Sequence, residues 1–198
     1  MSTFYLVRHG QKKSGVLDPD LTPTGQSQAQ KTANYLTCFP ISSVIASPKK
    51  RTQQTAAFIG ATLSVPVVTD EALLERMELI DFEAVSMADF FTEWRTATHD
   101  RTYQPRWGSS SYNTGERIKK VIELIDDATP DAHVAVVTHG GAIADFLRSV
   151  VSEDAVASLI HTFSEGTDYR VDECSVTRVA LTETGYKLVE LHCTTHLA

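Results

Sequence analysis

The chain has 198 residues, of which 42% are hydrophobic and 22% charged, and its formal net charge is −7. This length suits one domain with an inserted cap, and the composition is that of a globular protein rather than of a disordered one. The negative net charge argues against non-specific binding to nucleic acid or to an anionic membrane surface, although a local cluster of basic side chains can still bind a small anion.

The cysteines and the start of the chain bear on its compartment. Cys38, Cys174 and Cys193 are odd in number and lack the paired spacing of a metal site. We expect Cys174 to be a small core residue within a strand. The start MSTFYLV has neither the basic region nor the apolar run of a signal peptide, and no apolar run reaches membrane-spanning length. These features predict a soluble protein of the reducing cytoplasm.

The first strand and the first helix follow one another closely. Residues 4–8 predict a short apolar strand. Thr22-Pro23 then predicts a helix start, because threonine is a good N-cap and proline suits the first helical position. The inner face of this helix carries Ala29, Ala33 and Leu36.

The same alternation continues through the next strand and helix. Ser43–Ala46 predicts a second strand, and Ser47-Pro48 repeats the pattern of a cap followed by proline. Val65–Thr69 predicts a third strand, which Pro66 weakens. The helix between these strands has an inner stripe of Thr52, Ala56, Ile59 and Leu63.

From about Arg76 to Asn113 the alternation breaks. This segment holds both tryptophans and a predicted helix with Met87, Phe91 and Trp94 on one side. We interpret it as a cap laid over one end of the sheet. Its aromatic residues either form a small core of the cap or stack on an organic leaving group.

Regular elements return after the cap. A helix is predicted by the stripe of Ile118, Val121, Ile122 and Ile125. His133–Thr138 predicts a buried strand. Gly140-Gly141 leads into a helix with Phe146, Leu147 and Val150 on its inner face.

The last part of the chain predicts a short helix capped by Ser152 and then two strands. These strands are Cys174–Leu181 and Tyr186–Cys193, joined by a turn at Thr184-Gly185. Alternating strands and helices predict an α/β fold, a three-layer α/β/α sandwich with a mostly parallel central sheet, helices on both faces and an inserted cap. We expect a single domain over residues 1–198, with the cap at about residues 76–113.

Two histidines stand where predicted strands end. Arg8-His9-Gly10 follows the first strand, and His139 and Gly140 follow VAVVT in the same way. Ligands of such sheets lie beyond the carboxyl ends of the strands, so the two histidines predict a shared site. A lone histidine here is usually an ordinary polar residue. A metal site would need further ligands at tight spacing, and Arg8 would repel a cation, which favours an anion.

Five motifs occur in a fixed order over nearly the whole chain. They are Arg8-His9-Gly10; a loose pattern of Asp18, Leu21, Thr22, Gly25, Gln28 and Ala29; Ser47, Arg51, Gln54, Thr55 and Ala56; Leu73 and Glu75; and Thr138-His139-Gly140-Gly141. In these motifs the chain resembles the histidine phosphatase superfamily, also called the phosphoglycerate mutase-like family.

The resemblance implies a phosphate site. His9 would be the nucleophile that takes the phosphoryl group, and Arg8, Arg51, His139 and Gly140 would bind the phosphate, with His139 also catalytic. Neutral imidazole is a good nucleophile near pH 7, and guanidinium groups suit the equatorial oxygens of a transferring phosphoryl group. No metal and no cofactor are expected.

The same resemblance implies that Glu75 is the general acid and base, although Glu71 and Glu78 are alternatives. The chain departs from the common family pattern at Gln11 and at Glu173. It also has Gly115-Glu116-Arg117 where the family commonly has Gly-Glu-Ser, so that Arg117 replaces the serine. These departures leave the catalytic groups in place and bear on substrate choice.

Lys12, Lys13 and Arg117 either add positive charge at the mouth of the site or are solvated surface residues. The resemblance thus predicts a metal-independent phosphomonoester hydrolase that acts on a small phosphorylated metabolite, with a phosphoprotein as a possible substrate. The alternatives are a phosphoglycerate mutase-type phosphotransferase and a non-catalytic binder of phosphorylated ligands. A homodimer through the edge of the last strands is an option.

Overall fold

A computed structural model of the chain describes residues 1–15, 18–78, 86–156, 160–163, 166–169 and 171–198. Its strands are β1 Ser2–Arg8, β2 Ser43–Ala46, β3 Val67–Thr69, β4 His133–Thr138, β5 Ile160–Phe163, β6 Gly166–Tyr169, β7 Val176–Thr182 and β8 Gly185–Cys193. Its helices are α1 Pro23–Leu36, α2 Lys50–Leu63, α3 Met87–His99, α4 Ser111–Ala128, α5 Gly140–Val150 and α6 Glu153–Val156, with 3-10 turns at Glu71–Leu73 and Thr195–Leu197.

Six strands form the central sheet in the order β3-β2-β4-β1-β7-β8. The pairs β3–β2, β2–β4 and β4–β1 are parallel, whereas β7 is antiparallel to both β1 and β8. The predicted mostly parallel α/β sheet is therefore confirmed. β5 and β6 form a separate antiparallel pair that the sequence analysis did not predict. β8 lies at one edge of the sheet, and the pairing of two chains there stays a prediction.

Alternating side chains of β1 build the three layers. Phe4 and Leu6 face one side, where they join the core formed with the inner faces of α4 and α5. Tyr5 and Val7 face the other side and join the core formed with α1 and α2. Successive side chains of a strand point to opposite faces, so a strand that is apolar throughout is covered by helices on both sides.

Several predicted element boundaries are confirmed and others were wrong. Thr22 caps α1 as predicted, because its hydroxyl accepts from the Gly25 N–H at 3.0 Å. The Ser47-Pro48 cap was wrong: α2 begins at Lys50, and its N-cap Lys49 makes no side-chain cap bond. The Ser47 hydroxyl is instead bonded to a histidine ring, as described below.

The helix predicted with Met87, Phe91 and Trp94 on one side is present as α3, although two of these three residues are exposed. Phe90 is the buried aromatic residue, whereas Met87 and Phe91 are each 49% exposed. Phe90 packs with Met77, Trp94 and Trp107 in a small separate core. This agrees with the first of the two interpretations of the aromatic residues given above, a small core of their own rather than a stacking surface for a leaving group. Residues 79–85 of the predicted cap lie outside the described part of the chain.

The strand ends place the functional residues. Arg8 is paired with Thr138, and Ala46 is paired with Val137, so β1, β4 and β2 end at one edge of the sheet. The backbone N–H of His9 continues this pattern by donating to the Thr138 carbonyl at 3.0 Å. The residues that follow these three strands must therefore lie side by side.

Within the described residues, no helix combines the length and the apolar character needed to cross a membrane.

The turn after β1 is pressed against the start of α1. A Cβ atom added at Gly25 would lie 2.1 Å from the Gln11 carbonyl oxygen, and one added at Gly10 would lie 2.5 Å from the Gly25 carbonyl oxygen. The Thr22 N–H donates to the same Gln11 carbonyl at 2.9 Å. This close backbone contact holds the loop that carries His9.

We expect Gly25→Ala to lower the free energy of unfolding by about 2 kcal/mol, because the methyl group overlaps backbone atoms. Alanine is otherwise the better helix residue by about 1 kcal/mol, so a loss of stability reports the contact itself. Ser27→Ala on the exposed face of α1 is the matched control, with an expected change within about 0.5 kcal/mol. Urea unfolding measures both variants, and equal stabilities of the two would contradict the contact.

Candidate active site

His9 lies directly beyond β1 and is only 4% exposed. Its Nδ1 is 2.8 Å from the Gly10 carbonyl oxygen, which can only accept a hydrogen bond. Nδ1 therefore carries the proton in the neutral ring, and the lone pair is on Nε2. The Nε–H of Arg51 donates to this Nε2 at 3.2 Å. The nitrogen that can act as a nucleophile thus faces a guanidinium group, where an anion would bind.

His139 lies directly beyond β4, at the N-cap of α5, and is 1% exposed. Its Nδ1 accepts from Arg51 Nη2 at 3.1 Å, and its Nε2 is 2.9 Å from the Ser47 hydroxyl oxygen. Since Arg51 can only donate, the neutral ring of His139 carries its proton on Nε2. The two imidazole rings are 5.4 Å apart. The predicted convergence of the two strand-end histidines is therefore present in the structure.

Both histidines are neutral at pH 7. The pKa of His9 lies well below its ordinary value of 6.5, chiefly because burial disfavours the charged ring and also because Arg8 and Arg51 are near. Burial likewise lowers the pKa of His139 well below 6.5, with further contributions from His9 and Arg51. The surrounding positive charge thus keeps the lone pair of His9 available for attack on an anion.

The two predicted phosphate-binding arginines reach the same edge of the sheet. Arg51, in the first turn of α2, is held by Glu78 at 2.7 Å and lies 3.6 Å from Asp18. Arg8 donates from Nη1 to the Val171 carbonyl at 2.5 Å, while its buried Nε has no hydrogen-bond partner among the described residues. Arg8 also lies 3.9 Å from Glu173, one of the positions that depart from the family pattern.

Gly140 brings Arg8 and the start of α5 together. A Cβ atom added at Gly140 would lie 3.4 Å from Arg8 Cδ, which is tight but not impossible contact. The first N–H groups of a helix lack partners within the helix and suit an anion. The predicted phosphate-binding residues therefore lie around one helix start.

The carboxyl group of Glu75 is bonded to the first turn of α5, the helix whose N-cap is His139. Its Oε2 accepts from the Gly141 N–H at 3.0 Å, and its Oε1 accepts from the Arg76 N–H at 2.9 Å. Glu71, one alternative acid, lies on the exposed side of the 3-10 turn. Glu78, the other, contacts Arg51, and burial raises its pKa despite that contact. Two carboxyl groups, Glu75 and Glu78, thus lie at the site.

Other basic residues divide between the site and the surface. Burial lowers the pKa of Lys12, with a contribution from nearby Arg51, and a position of Lys12 at the mouth stays a prediction. Lys13 is exposed and lies 3.9 Å from Asp20. Arg117 donates to backbone carbonyls close to Glu75 rather than into the mouth.

Sequence reasoning missed the role of Ser47, which it assigned to a helix cap. Two features of the sequence could have indicated a role for Ser47 in the site. It is the serine of the S-x-x-x-R motif, and it directly follows β2, whose end lies beside the ends of β1 and β4. Thr55 was likewise quoted only as part of a motif. Its hydroxyl accepts from the Gly10 N–H at 3.1 Å and so helps to orient the loop of His9.

Comparison with known proteins decides the family. The sequence profile of the Histidine phosphatase superfamily (branch 1) matches residues 4–194. The chain belongs to the histidine phosphatase superfamily. Among curated members of the superfamily, it is 30% identical over 161 residues to the "Uncharacterized phosphatase PhoE" of Bacillus subtilis, covering 78% of this chain and 80% of that protein. It is 27% identical to the "Probable phosphoglycerate mutase GpmB" of Serratia proteamaculans, covering 90% of this chain and 85% of that protein.

Solved structures of the superfamily share the fold. A mycobacterial glucosyl-3-phosphoglycerate phosphatase complexed with VO3 superposes with a TM-score of 0.77 at 21% identity, covering 98% of this chain and 100% of the other. A phosphoserine phosphatase mutant from Entamoeba histolytica, in complex with phosphoserine, superposes with a TM-score of 0.76 at 18% identity, covering 100% of both chains. At these identities the likeness concerns the architecture of the sheet and its helices.

The lowered pKa of His9 predicts how stability depends on pH. An unfolded chain binds a proton on this ring near pH 6.5, whereas the folded chain does not, so the unfolded state is favoured as pH falls below 6.5. Relative to a His9→Gln variant, the wild type should lose free energy of unfolding at up to about 1.4 kcal/mol per pH unit in that range. Urea unfolding at several pH values measures the difference. Parallel curves for the two proteins would contradict a buried neutral ring.

Proposed function

We propose that this protein is a metal-independent phosphomonoester hydrolase that works through a phosphohistidine intermediate on His9. The observation that carries the proposal is the lone pair of His9 Nε2, which faces the Arg51 Nε at 3.2 Å inside a buried basic pocket. A neutral nucleophile surrounded by fixed cations is the arrangement that phosphoryl transfer to a ring nitrogen requires.

In the first step His9 Nε2 attacks phosphorus, and the bond between phosphorus and the ester oxygen breaks. Glu75, in its protonated form, gives its proton to the leaving alkoxide. Arg8 and Arg51 donate to the oxygens of the phosphoryl group and offset the charge that develops there. His139 donates to them through its Nε2–H, which leaves the Ser47 hydroxyl when phosphate binds. Positive charge is therefore supplied by side chains rather than by a metal.

In the second step water attacks the phosphohistidine. Glu75, now a carboxylate, accepts a proton from this water, and the bond between phosphorus and His9 Nε2 breaks. Inorganic phosphate leaves, and both His9 and Glu75 return to their starting protonation states. The position of the Glu75 carboxyl group at the Gly141 N–H, one residue from the His139–Gly140 pair, supports this double role.

We propose that residues 76–113 act as the cap of the single domain and that water reaches the site, which favours hydrolysis over transfer between two positions of one substrate. The name of the Bacillus subtilis relative agrees with a phosphatase, whereas the GpmB names agree with a mutase. We propose a small phosphorylated metabolite as the substrate. Cys38, Cys174 and Cys193 are all free thiols, which is consistent with a reducing cytoplasm.

The nucleophile is tested by His9→Ala. The purified protein should hydrolyse p-nitrophenyl phosphate in the presence of EDTA, and the variant should lose at least about a thousandfold in kcat because no other group replaces the attacking nitrogen. His99→Ala, at an exposed position of α3, is the matched control and should keep full activity.

When a reaction with labelled substrate is quenched, an acid-labile, alkali-stable phosphoprotein should be recovered from the wild type and from His99→Ala but not from His9→Ala. Substrate binding with no trapped phosphoprotein and no turnover would instead identify a non-catalytic binder. Strong stimulation by 2,3-bisphosphoglycerate with poor net hydrolysis would identify a mutase.

The acid is tested by comparing Glu75→Gln with Glu78→Gln on two substrates. Glu75→Gln should lower kcat for glycerol 2-phosphate by about a hundredfold or more, because its alkoxide needs a proton. It should affect p-nitrophenyl phosphate far less, because nitrophenolate leaves without one. Glu78→Gln should keep kcat and bind inorganic phosphate more tightly, since the Glu78 carboxylate competes for Arg51. The reverse pattern would assign the acid to Glu78.

A further inference from the structure

The carbonyl groups of the backbone that carries Glu75 are bound by side chains from elsewhere in the fold. The Leu73 carbonyl accepts from the Thr138 hydroxyl at 2.6 Å. The carbonyls of Ala72, Leu74 and Glu75 all accept from the guanidinium of Arg117, with Nη2 at 3.3 Å from the Glu75 oxygen. Four consecutive carbonyl groups are thus bound by two side chains.

Arg117 reaches this segment from α4, which packs closely on α5. A Cβ atom added at Gly115, two residues earlier, would lie 2.5 Å from the Asp145 carbonyl oxygen of α5, so the two helices are in tight contact there. α5 in turn presents the Gly141 N–H to the Glu75 carboxyl group. The backbone and the side chain of Glu75 are therefore held by two helices that cannot shift independently.

The guanidinium of Arg117 is well suited to this contact. Burial lowers its pKa, so the charge is largely removed from water and depends on its hydrogen bonds for stabilisation. Its planar group presents several donors in a fixed arrangement, which allows it to bind three carbonyls at once. A lysine ammonium is a compact charge on a flexible stem and would not reproduce this geometry.

We propose that Arg117 is a positioning residue for the general acid, which fixes the backbone of residues 72–75 so that the Glu75 carboxyl group meets the leaving oxygen. The inference rests on the proposed function, because it requires Glu75 to deliver that proton. Arg117 itself touches neither the phosphate nor the leaving group. It acts through Glu75 alone.

A defect in positioning has a signature that general damage to the fold lacks. Misplacing a catalytic group by about 1 Å costs roughly a hundredfold in rate. This cost applies only where the group works, so it should appear with a leaving group that needs a proton and vanish with one that does not. The ratio of kcat for glycerol 2-phosphate to kcat for p-nitrophenyl phosphate isolates the effect.

The test uses Arg117→Met, which keeps an unbranched stem without the donors, and Arg117→Lys, which keeps the charge without the planar group. We expect Arg117→Met to lower the ratio by about tenfold or more, within the range that general acid catalysis supplies, and Arg117→Lys to restore little of it. Arg101→Met is the matched control. Arg101 also binds a backbone carbonyl, that of Arg148 at 2.7 Å, and the Ser149 hydroxyl at 2.6 Å, but at the far end of α5. In Arg101→Met, the ratio of kcat for glycerol 2-phosphate to kcat for p-nitrophenyl phosphate should stay at the wild-type value.

The double variant Glu75→Gln/Arg117→Met decides whether the two residues act together. If Arg117 works through Glu75, its replacement should cost no further kcat for glycerol 2-phosphate once Glu75 is glutamine. Equal losses on both substrates in Arg117→Met, or full additivity in the double variant, would overturn the inference and leave the proposed hydrolase intact. A Glu75→Gln variant with an unchanged ratio would overturn both the acid assignment and the role of Arg117.

Discussion

The guanidinium of Arg51 is the contact on which the site depends. It donates to Nε2 of His9 and to Nδ1 of His139, and both rings are almost completely buried. Because a guanidinium can only donate, this single group determines which nitrogen of each ring carries a proton. Burial, with a smaller contribution from Arg51, keeps both rings neutral, so the Nε2 lone pair of His9 faces the guanidinium group.

A buried guanidinium needs compensating charge, and this chain provides it from two directions. Glu78 lies 2.7 Å from Arg51, and Asp18 lies 3.6 Å from it. In the proposed function, a phosphate group would compete with these carboxylates for the same donors, and one set of negative charges would replace another. This exchange also explains how a chain with a net charge of −7 can hold an anion site.

A second buried arginine, Arg76, holds the segment that follows Glu75, the proposed acid, against the rest of the fold. Arg76 lies 3.6 Å from Asp145 of α5 and 4.3 Å above the ring of Trp94 of α3, and it donates to the Thr98 hydroxyl at 3.0 Å. Burial raises the pKa of Asp145 to about 6 in spite of the arginine. Glu75 is therefore followed by Arg76, which contacts α3 and α5, and its backbone carbonyls are bound by Arg117 of α4, so its position depends on contacts with three helices.

The sequence by itself determined the parts of this protein that follow from local rules. Apolar runs, the cap at Thr22 and the histidines after two strands predicted the parallel sheet and the convergence of Arg8, His9 and His139, because the carboxyl ends of parallel strands share one edge. The family resemblance of the motifs added Arg51. The tertiary structure decided what depends on contacts between distant segments. Ser47 bonds a ring instead of capping a helix, Phe90 rather than Phe91 is buried in α3, and Arg117 turns to carbonyls instead of the mouth. The outcomes for Ser47 and Arg117 are set by partners far away in the chain, and that for Phe90 by the packing of α3 on Met77 and Trp107, which the spacing within α3 does not encode.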